Sequence, residues 1–187
     1  RLVVGSADVY KRQVCTCGDD IGCTDKTLRK SLLIHHQRSL QAAFSLRMPN
    51  TYVSLPGFDV DSEALAEQKL AVAREELKVI AEHIRLRHQI VQVVPGRFPR
   101  LKTYLLRPFF NRFLLSDKPF SATPDCIACR TCERVCPVQN IAFTSSRPEW
   151  GGRCTGCLAC YHHCPQHCIH YGKKTYGKGQ YKVPKTL

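Results

Sequence analysis

Acidic side chains are scarce in this sequence, and long apolar runs are missing. Fifteen Asp and Glu stand against 28 Lys and Arg, a formal net charge of +13. No apolar stretch approaches the about 20 residues a helix needs to cross a bilayer, which excludes a transmembrane segment. The start of the chain lacks the charged, apolar and small-residue regions of a signal peptide. Cysteine, by contrast, is plentiful, with twelve in 187 residues. Without a secretion signal, that number points to a reducing, cytoplasmic setting in which thiolates survive as ligands.

Eight of the twelve form one pattern written twice. Cys126-x2-Cys129-x2-Cys132-x3-Cys136-Pro137 is followed by Cys154-x2-Cys157-x2-Cys160-x3-Cys164-Pro165, at a fixed offset of 28 residues. The same offset carries Ile141 onto Ile169 and Phe143 onto Tyr171. This is the ligand run of bacterial proteins that hold two [4Fe-4S] clusters. A cubane cluster takes one thiolate at each of four iron corners, and in this pattern the fourth cysteine of a run serves the other cluster. Cys126, Cys129, Cys132 and Cys164 are therefore assigned to a first cluster. Cys136, Cys154, Cys157 and Cys160 are assigned to a second. Pro after each fourth cysteine fixes φ and ends the loop, and Ile141 and Ile169 are expected to keep water from the clusters. Each half reads as a cysteine loop, a short helical turn and a strand. Zinc sites favour paired C-x2-C knuckles with a longer spacer, a poor match to this run. A disulfide framework suits these spacings less well than a metal does.

Four cysteines lie outside the pattern. Cys168 aligns in the repeat with Asn140 and reads as a small buried apolar residue. Cys15, Cys17 and Cys23 have C-x-C-x5-C spacing without a fourth partner, and read as packing or loop residues. His162, His163, His167 and His170 crowd the second run, and spacing gives them no ligand role.

The basic excess is uneven: net zero over residues 14–91, +5 over 92–120 and +6 over 121–187. Each oxidised cluster with four thiolates carries about −2, so part of the excess balances the clusters. The remainder favours an acidic redox protein or oxidoreductase as partner, ahead of nucleic acid.

Residues 8–13, Asp-Val-Tyr-Lys-Arg-Gln, resemble an in-frame translation of a transposon end used in sequencing adapters. Residues 1–13 are accordingly set aside as artefact, with a strand through Leu2–Val4 as the alternative, and a longer natural N-terminus is expected. Over 14–94 the pattern predicts a strand ending at Cys17 and a helix over about 25–37 capped by Thr24 or Asp25, with Leu28 and Leu32 on one face. A strand follows over 40–47, with Leu40, Ala42, Phe44 and Leu46 on one side. A helix then runs from Asp61 or Ser62 to about 88, with an apolar stripe of Leu70, Ala73, Leu77, Ile80 and Ile84. This alternation is the rhythm of an open parallel α/β sheet, with ligand loops at the strand ends, here 16–20 and 48–57. Residues 95–120 read as a connector whose apolar stripe, Tyr104, Leu105, Leu106, Phe109, Phe110, Phe113 and Leu114, is expected to pack between domains rather than lie on a membrane. Residues 121–187 form the cysteine domain and a basic tail.

Several segments together resemble one bacterial family, fusions of a flavodoxin-like domain to a two-cluster ferredoxin. They are Thr16-Cys-Gly-Asp-Asp-Ile-Gly22, Met48-Pro-Asn-Thr-Tyr-Val53, Leu55-Pro-Gly-Phe-Asp-Val-Asp61, Lys102-Thr-Tyr104, Ser116-Asp-Lys-Pro-Phe120, both cysteine runs and Tyr171–Tyr181. The resemblance implies the later half of a flavodoxin-like parallel sheet (α/β) followed by a two-cluster ferredoxin-like domain (α+β). It implies that Thr16, Cys17, Gly18 and Asp19 lie near a flavin ring. The Ser/Thr/Gly-rich FMN phosphate loop of that family is missing, so FMN is expected in a longer protein and weakly or not at all in this chain. The function expected is electron transfer through two [4Fe-4S] clusters. The alternatives are a flavin-dependent oxidoreductase wired through the clusters, for which no catalytic acid or base stands out, and an accessory subunit of a larger oxidoreductase.

Overall fold

The computed structural model describes residues 10–113, 115–144 and 146–182. The alternative strand at Leu2–Val4, Leu114 of the apolar stripe and the end of the basic tail lie outside them. Among the described residues no helix is long and apolar enough to cross a membrane. The chain divides into two compact units, one holding the residues up to Pro49 and Glu63–Pro108, the other Asn50–Ser62 and the residues from Phe109 on.

The first unit is α/β. Strand β1 (Arg12–Cys17), helix α1 (Thr24–His36), β2 (Ala42–Arg47), α2 (Glu63–Arg85) and β3 (Val91–Gln92) build a parallel sheet of order β1-β2-β3. Arg12 pairs with Ala42 and Cys17 with Arg47, and Phe44 pairs with Gln92. The strand therefore starts inside the segment set aside on sequence grounds: Arg12 and Gln13 are ladder residues, and the Tyr10 hydroxyl donates to the His88 carbonyl at 2.6 Å. Strand β2 is central, and Ala42, Ala43, Phe44 and Leu46 are all buried. Its burial is thus not confined to the single face expected, because parallel strands are covered on both sides. Helix α2 buries Ala66, Leu70, Ala73 and Ile80, but Leu77 of the expected stripe is 49% exposed.

Helix α1 does not use the expected caps. Its N-cap position is Cys23, with no side-chain cap. Thr24 instead donates back to the Ile21 carbonyl at 2.6 Å, and Asp25 lies in the first turn, where negative charge suits the helix dipole. The helix ends at Gln37 in the left-handed conformation, its N–H meeting the carbonyls of Leu32 and Leu33. Leu33 and Ile34 stay exposed on α1, as do Val72 and Val79 on α2.

The connector is a helical segment rather than a free-standing linker. It comprises α3 (Pro99–Leu101), a π-helical turn (Lys102–Leu106) and α4 (Arg107–Phe113). The Arg107 N–H reaches back five residues to the Lys102 carbonyl. This wider register just ahead of Pro108 suits a residue that has no N–H to give and whose ring crowds the preceding turn. Thr103 accepts from the Cys23 N–H at 2.9 Å, and Lys102 pairs with Asp20 at 2.5 Å, so this part of the connector is anchored in the first unit. Tyr104, Leu105, Leu106 and Phe109 of the apolar stripe are all more than half exposed.

The second unit is a strand–helix–strand element built twice. Strand β4 (Phe120–Ala122), helix α5 (Thr131–Arg134) and β5 (Ile141–Phe143) are followed, each 28 residues on, by β6 (Pro148–Trp150), α6 (Ala159–His162) and β7 (Ile169–Tyr171). The strands pair crosswise and antiparallel, β4 with β7 and β5 with β6. Phe120, Ile141, Leu158, Tyr161, Ile169 and Tyr171 form the apolar core together with cysteines.

The expected boundaries need correction here. Residues 50–62, read as part of the α/β domain, belong to this unit, and the fully buried Val53 packs in its core. Lys178 holds the segment by donating to the carbonyls of Val53 and Leu55 at 2.6 and 2.7 Å, and Asp59 accepts from the Gly179 N–H at 3.0 Å. Periodicity along the chain carries no sign of contacts made across more than a hundred residues. Replacing Lys178 by Met removes two charge-assisted bonds, a local cost of about 2 kcal/mol. Amide exchange over residues 50–62 should then quicken roughly 30-fold while that of α6 stays unchanged. Equal exchange in both proteins would refute the anchoring role.

Candidate metal centres

The two cysteine loops of the second unit share a backbone design. Ala128, Arg130 and Gln139 have positive φ in the first half, and Gly156, Leu158 and His167 have it at the same offset in the second. Only one of the six is glycine, so the loops hold five residues in a conformation that typically costs of order 1 kcal/mol or more for a side chain with a Cβ. Left-handed residues alternating with ordinary ones turn successive N–H groups inward, a concavity recurrent at phosphate and iron–sulfur sites. The N–H of Asn140 meets the Cys136 sulfur at 3.2 Å, and that of Gly156 meets the Cys154 sulfur at 3.3 Å.

The loops enclose two cavities. One is lined by Cys126, Cys129, Cys132 and Cys164, with Cys168, Ile127, Phe143 and Ile169 among its walls. The other is lined by Cys136, Cys154, Cys157 and Cys160, with Phe120, Ile141, Trp150 and Leu158. All eight cysteines singled out by the repeat therefore line a cavity, in the two sets of four assigned from the spacing. Each fourth cysteine, Cys136 or Cys164, faces the cavity of the other half.

Burial dominates the electrostatics. It pushes the Cys132 thiol up to about 11 and the Cys160 thiol up to about 12, and raises Cys154. Cys129 goes the other way, because the Thr131 hydroxyl at 3.4 Å and the Thr131 N–H favour its thiolate. The Trp150 indole N–H is buried without a conventional hydrogen-bond partner, and its proximity offsets part of the rise at Cys160. A buried donor left over beside a cavity of thiols suits an anionic, sulfur-rich occupant.

Among the described residues no three His, Cys, Asp or Glu side chains are placed to hold a single metal ion. A tetrahedral zinc would draw four sulfurs to within about 4 Å of one another. Four thiols arranged around the walls of one cavity suit a polynuclear group, which binds each ligand at its own corner.

The other sequence candidates are placed elsewhere. Thr16 and Cys17 are the last ladder residues of β1, as the strand expected to end at Cys17 requires, with Gly18 and Asp19 following them. A cavity of the first unit, about 390 Å³, is lined by Phe44, Ser45, Glu76, Ile80, Gln92 and neighbouring valines, and by none of residues 16–19. Cys23 is buried and Cys17 contacts the Leu46 carbonyl at 3.8 Å, in keeping with packing roles. His162 is buried, its Nε2 donating to the Thr51 carbonyl at 2.7 Å and its Nδ1 accepting from the Tyr181 N–H at 3.2 Å, which fixes a neutral tautomer. Burial holds its basicity below the usual imidazole range. His170 stacks on Tyr176 at 4.2 Å. Cys157 is exposed and borders a groove of about 470 Å³ with Thr51, His163 and Lys182.

Two features escaped the sequence. Asp117, buried, accepts from the Asn140 side chain at 2.8 Å and the Gly152 N–H at 2.6 Å, while Asn140 accepts from the Arg153 N–H at 2.7 Å; this network braces the second cavity. Cys168 is buried as expected, but it also lines the first cavity. Its presence among nine closely spaced cysteines was the available signal. Compared with known proteins, the chain matches no family model, no curated protein and no solved structure.

Thiols raised by burial are protonated at neutral pH and must shed protons to become ligands, so loading is proton-coupled and favoured by alkali. Anaerobic loading with iron and sulfide should release protons, and iron bound per chain should climb from about pH 6.5 to about pH 8.5. A flat profile without proton release would contradict protonated inner thiols at Cys132 and Cys160.

Proposed function

We propose that this chain is an iron–sulfur electron-transfer protein holding one [4Fe-4S] cluster in each cavity of its second unit. The observation that carries this reading is the division of eight cysteines into two cavities of four, each completed by the fourth cysteine of the opposite run. When bound, such clusters supply reversible one-electron transfer. The protein's part is to hold, insulate and tune. Cys126, Cys129, Cys132 and Cys164 would hold the first cluster, and Cys136, Cys154, Cys157 and Cys160 the second. Ile169 and Phe143 wall one cavity and Phe120, Ile141, Trp150 and Leu158 the other, limiting water, one of the levers on cluster potential. The Asn140 and Gly156 N–H groups offset negative charge on ligand sulfur.

The doubled strand–helix–strand element supports a two-cluster ferredoxin-like fold for the second unit. The three-stranded parallel sheet supports the later part of a flavodoxin-like domain for the first. Together they favour membership of the flavodoxin–ferredoxin fusions, and FMN is proposed for a longer protein of that kind, not for this chain. The net charge of +6 over residues 121–187 fits an acidic redox partner. A second reading, an accessory subunit docked on a larger oxidoreductase, is favoured by the exposed Tyr104, Leu105, Leu106 and Phe109.

Anaerobic reconstitution should give about eight iron and about eight sulfide per chain, with a broad brown absorbance that bleaches on reduction. A colourless protein that takes up only zinc would end the proposal. Pairs of substitutions test the crossing. Cys136→Ala with Cys154→Ala removes two ligands from one cavity and should leave about four irons, whereas Cys136→Ala with Cys126→Ala strikes both cavities and should leave fewer. The reverse order would mean that each run serves its own cluster.

A further inference from the structure

The two cavities are not equivalent. The second is lined by four cysteines, the first by five, since Cys168 joins Cys126, Cys129, Cys132 and Cys164. The repeat makes the surplus specific. The position 28 residues earlier is Asn140, whose side chain is engaged with Asp117 and the Arg153 N–H. In the second half that position carries a thiol, 3.3 Å from the Cys164 sulfur and 4% exposed. A cubane has four iron corners and takes four thiolates, which leaves one thiol of the first cavity unassigned.

We propose that Cys168 serves the Cys164 corner of the first cavity: it donates its S–H to the Cys164 sulfur while Cys164 is the ligand, and takes the corner itself when Cys164 is lost. This rests on the two-cluster reading. Donation follows from the pair's geometry, because a metal-bound Cys164 has no proton and only Cys168 can give one. Substitution of the ligand requires that Cys168 form one Fe–S bond and release one thiol proton to solvent, with no change of oxidation state and no oxidant. The second cavity has no such reserve: Asn140 offers no thiol, and the four cysteines there are all committed.

The test compares iron and acid-labile sulfide per chain after anaerobic reconstitution of the full chain. Cys164→Ala should retain about eight irons, Cys136→Ala about four, and Cys164→Ala with Cys168→Ala about four. If Cys164→Ala alone falls to about four while the unsubstituted chain binds about eight, the reserve role is overturned and the two-cluster reading stands. If the unsubstituted chain itself binds no iron and sulfide, the cluster reading fails first. Should Cys164→Ala not fold, Cys168→Ala decides the donor role. It should keep about eight irons but move one of two cluster potentials to a more negative value, since a donated S–H stabilises the reduced, more negative cluster. Unchanged potentials in that variant would remove Cys168 from the corner.

Discussion

Cys136 and Cys164 each leave the run they belong to in sequence and face the cavity of the other half. This exchange is the constraint on which the second unit depends. Neither half encloses four thiols by itself, so neither forms a complete site without its counterpart. The crosswise pairing of β4 with β7 and β5 with β6 answers the same need, tying the first strand of one half to the last of the other. Five non-glycine residues held at positive φ are the conformational cost. Their recurrence at one offset marks them as part of the site rather than as accidents of a loop.

Around this exchange the unit gathers what it needs from far along the chain. Val53 enters the core from a segment more than sixty residues upstream of the first cysteine loop, and Lys178 clamps that segment from near the end of the described chain. Tyr161, fully buried, donates its hydroxyl to the Lys178 carbonyl at 2.9 Å, so the clamp is itself attached to helix α6 and the loop that carries Cys160 and Cys164. The first unit is organised by ordinary sheet burial around β2. It leaves large apolar side chains of α1 and α2 exposed.

Much of the site was legible in the sequence because its rules are local. A two-residue spacer between cysteines limits how the intervening backbone can turn, and the 28-residue offset carries strands, helices and turns together. The parallel α/β pattern of the first unit was legible for the same reason, through periodicity within each helix and strand. What failed were inferences that needed neighbours. Leu77 looked like part of the buried stripe of α2, yet it is 49% exposed. Residues 50–62 looked like a loop of the sheet domain because they sit between its elements in sequence, and only carbonyls reaching Lys178 reveal their allegiance.

Cys168 marks the division most clearly. The sequence by itself determined that eight thiols come as two equivalent runs, because spacing and offset are properties of the chain. It also marked Cys168 as outside the pattern, and burial bore that out. Only the tertiary structure decided that the first cavity has five thiols and the second four. A thiol's role depends on the surfaces that fold over it. Those are set by contacts between residues distant in sequence, on which spacing is silent.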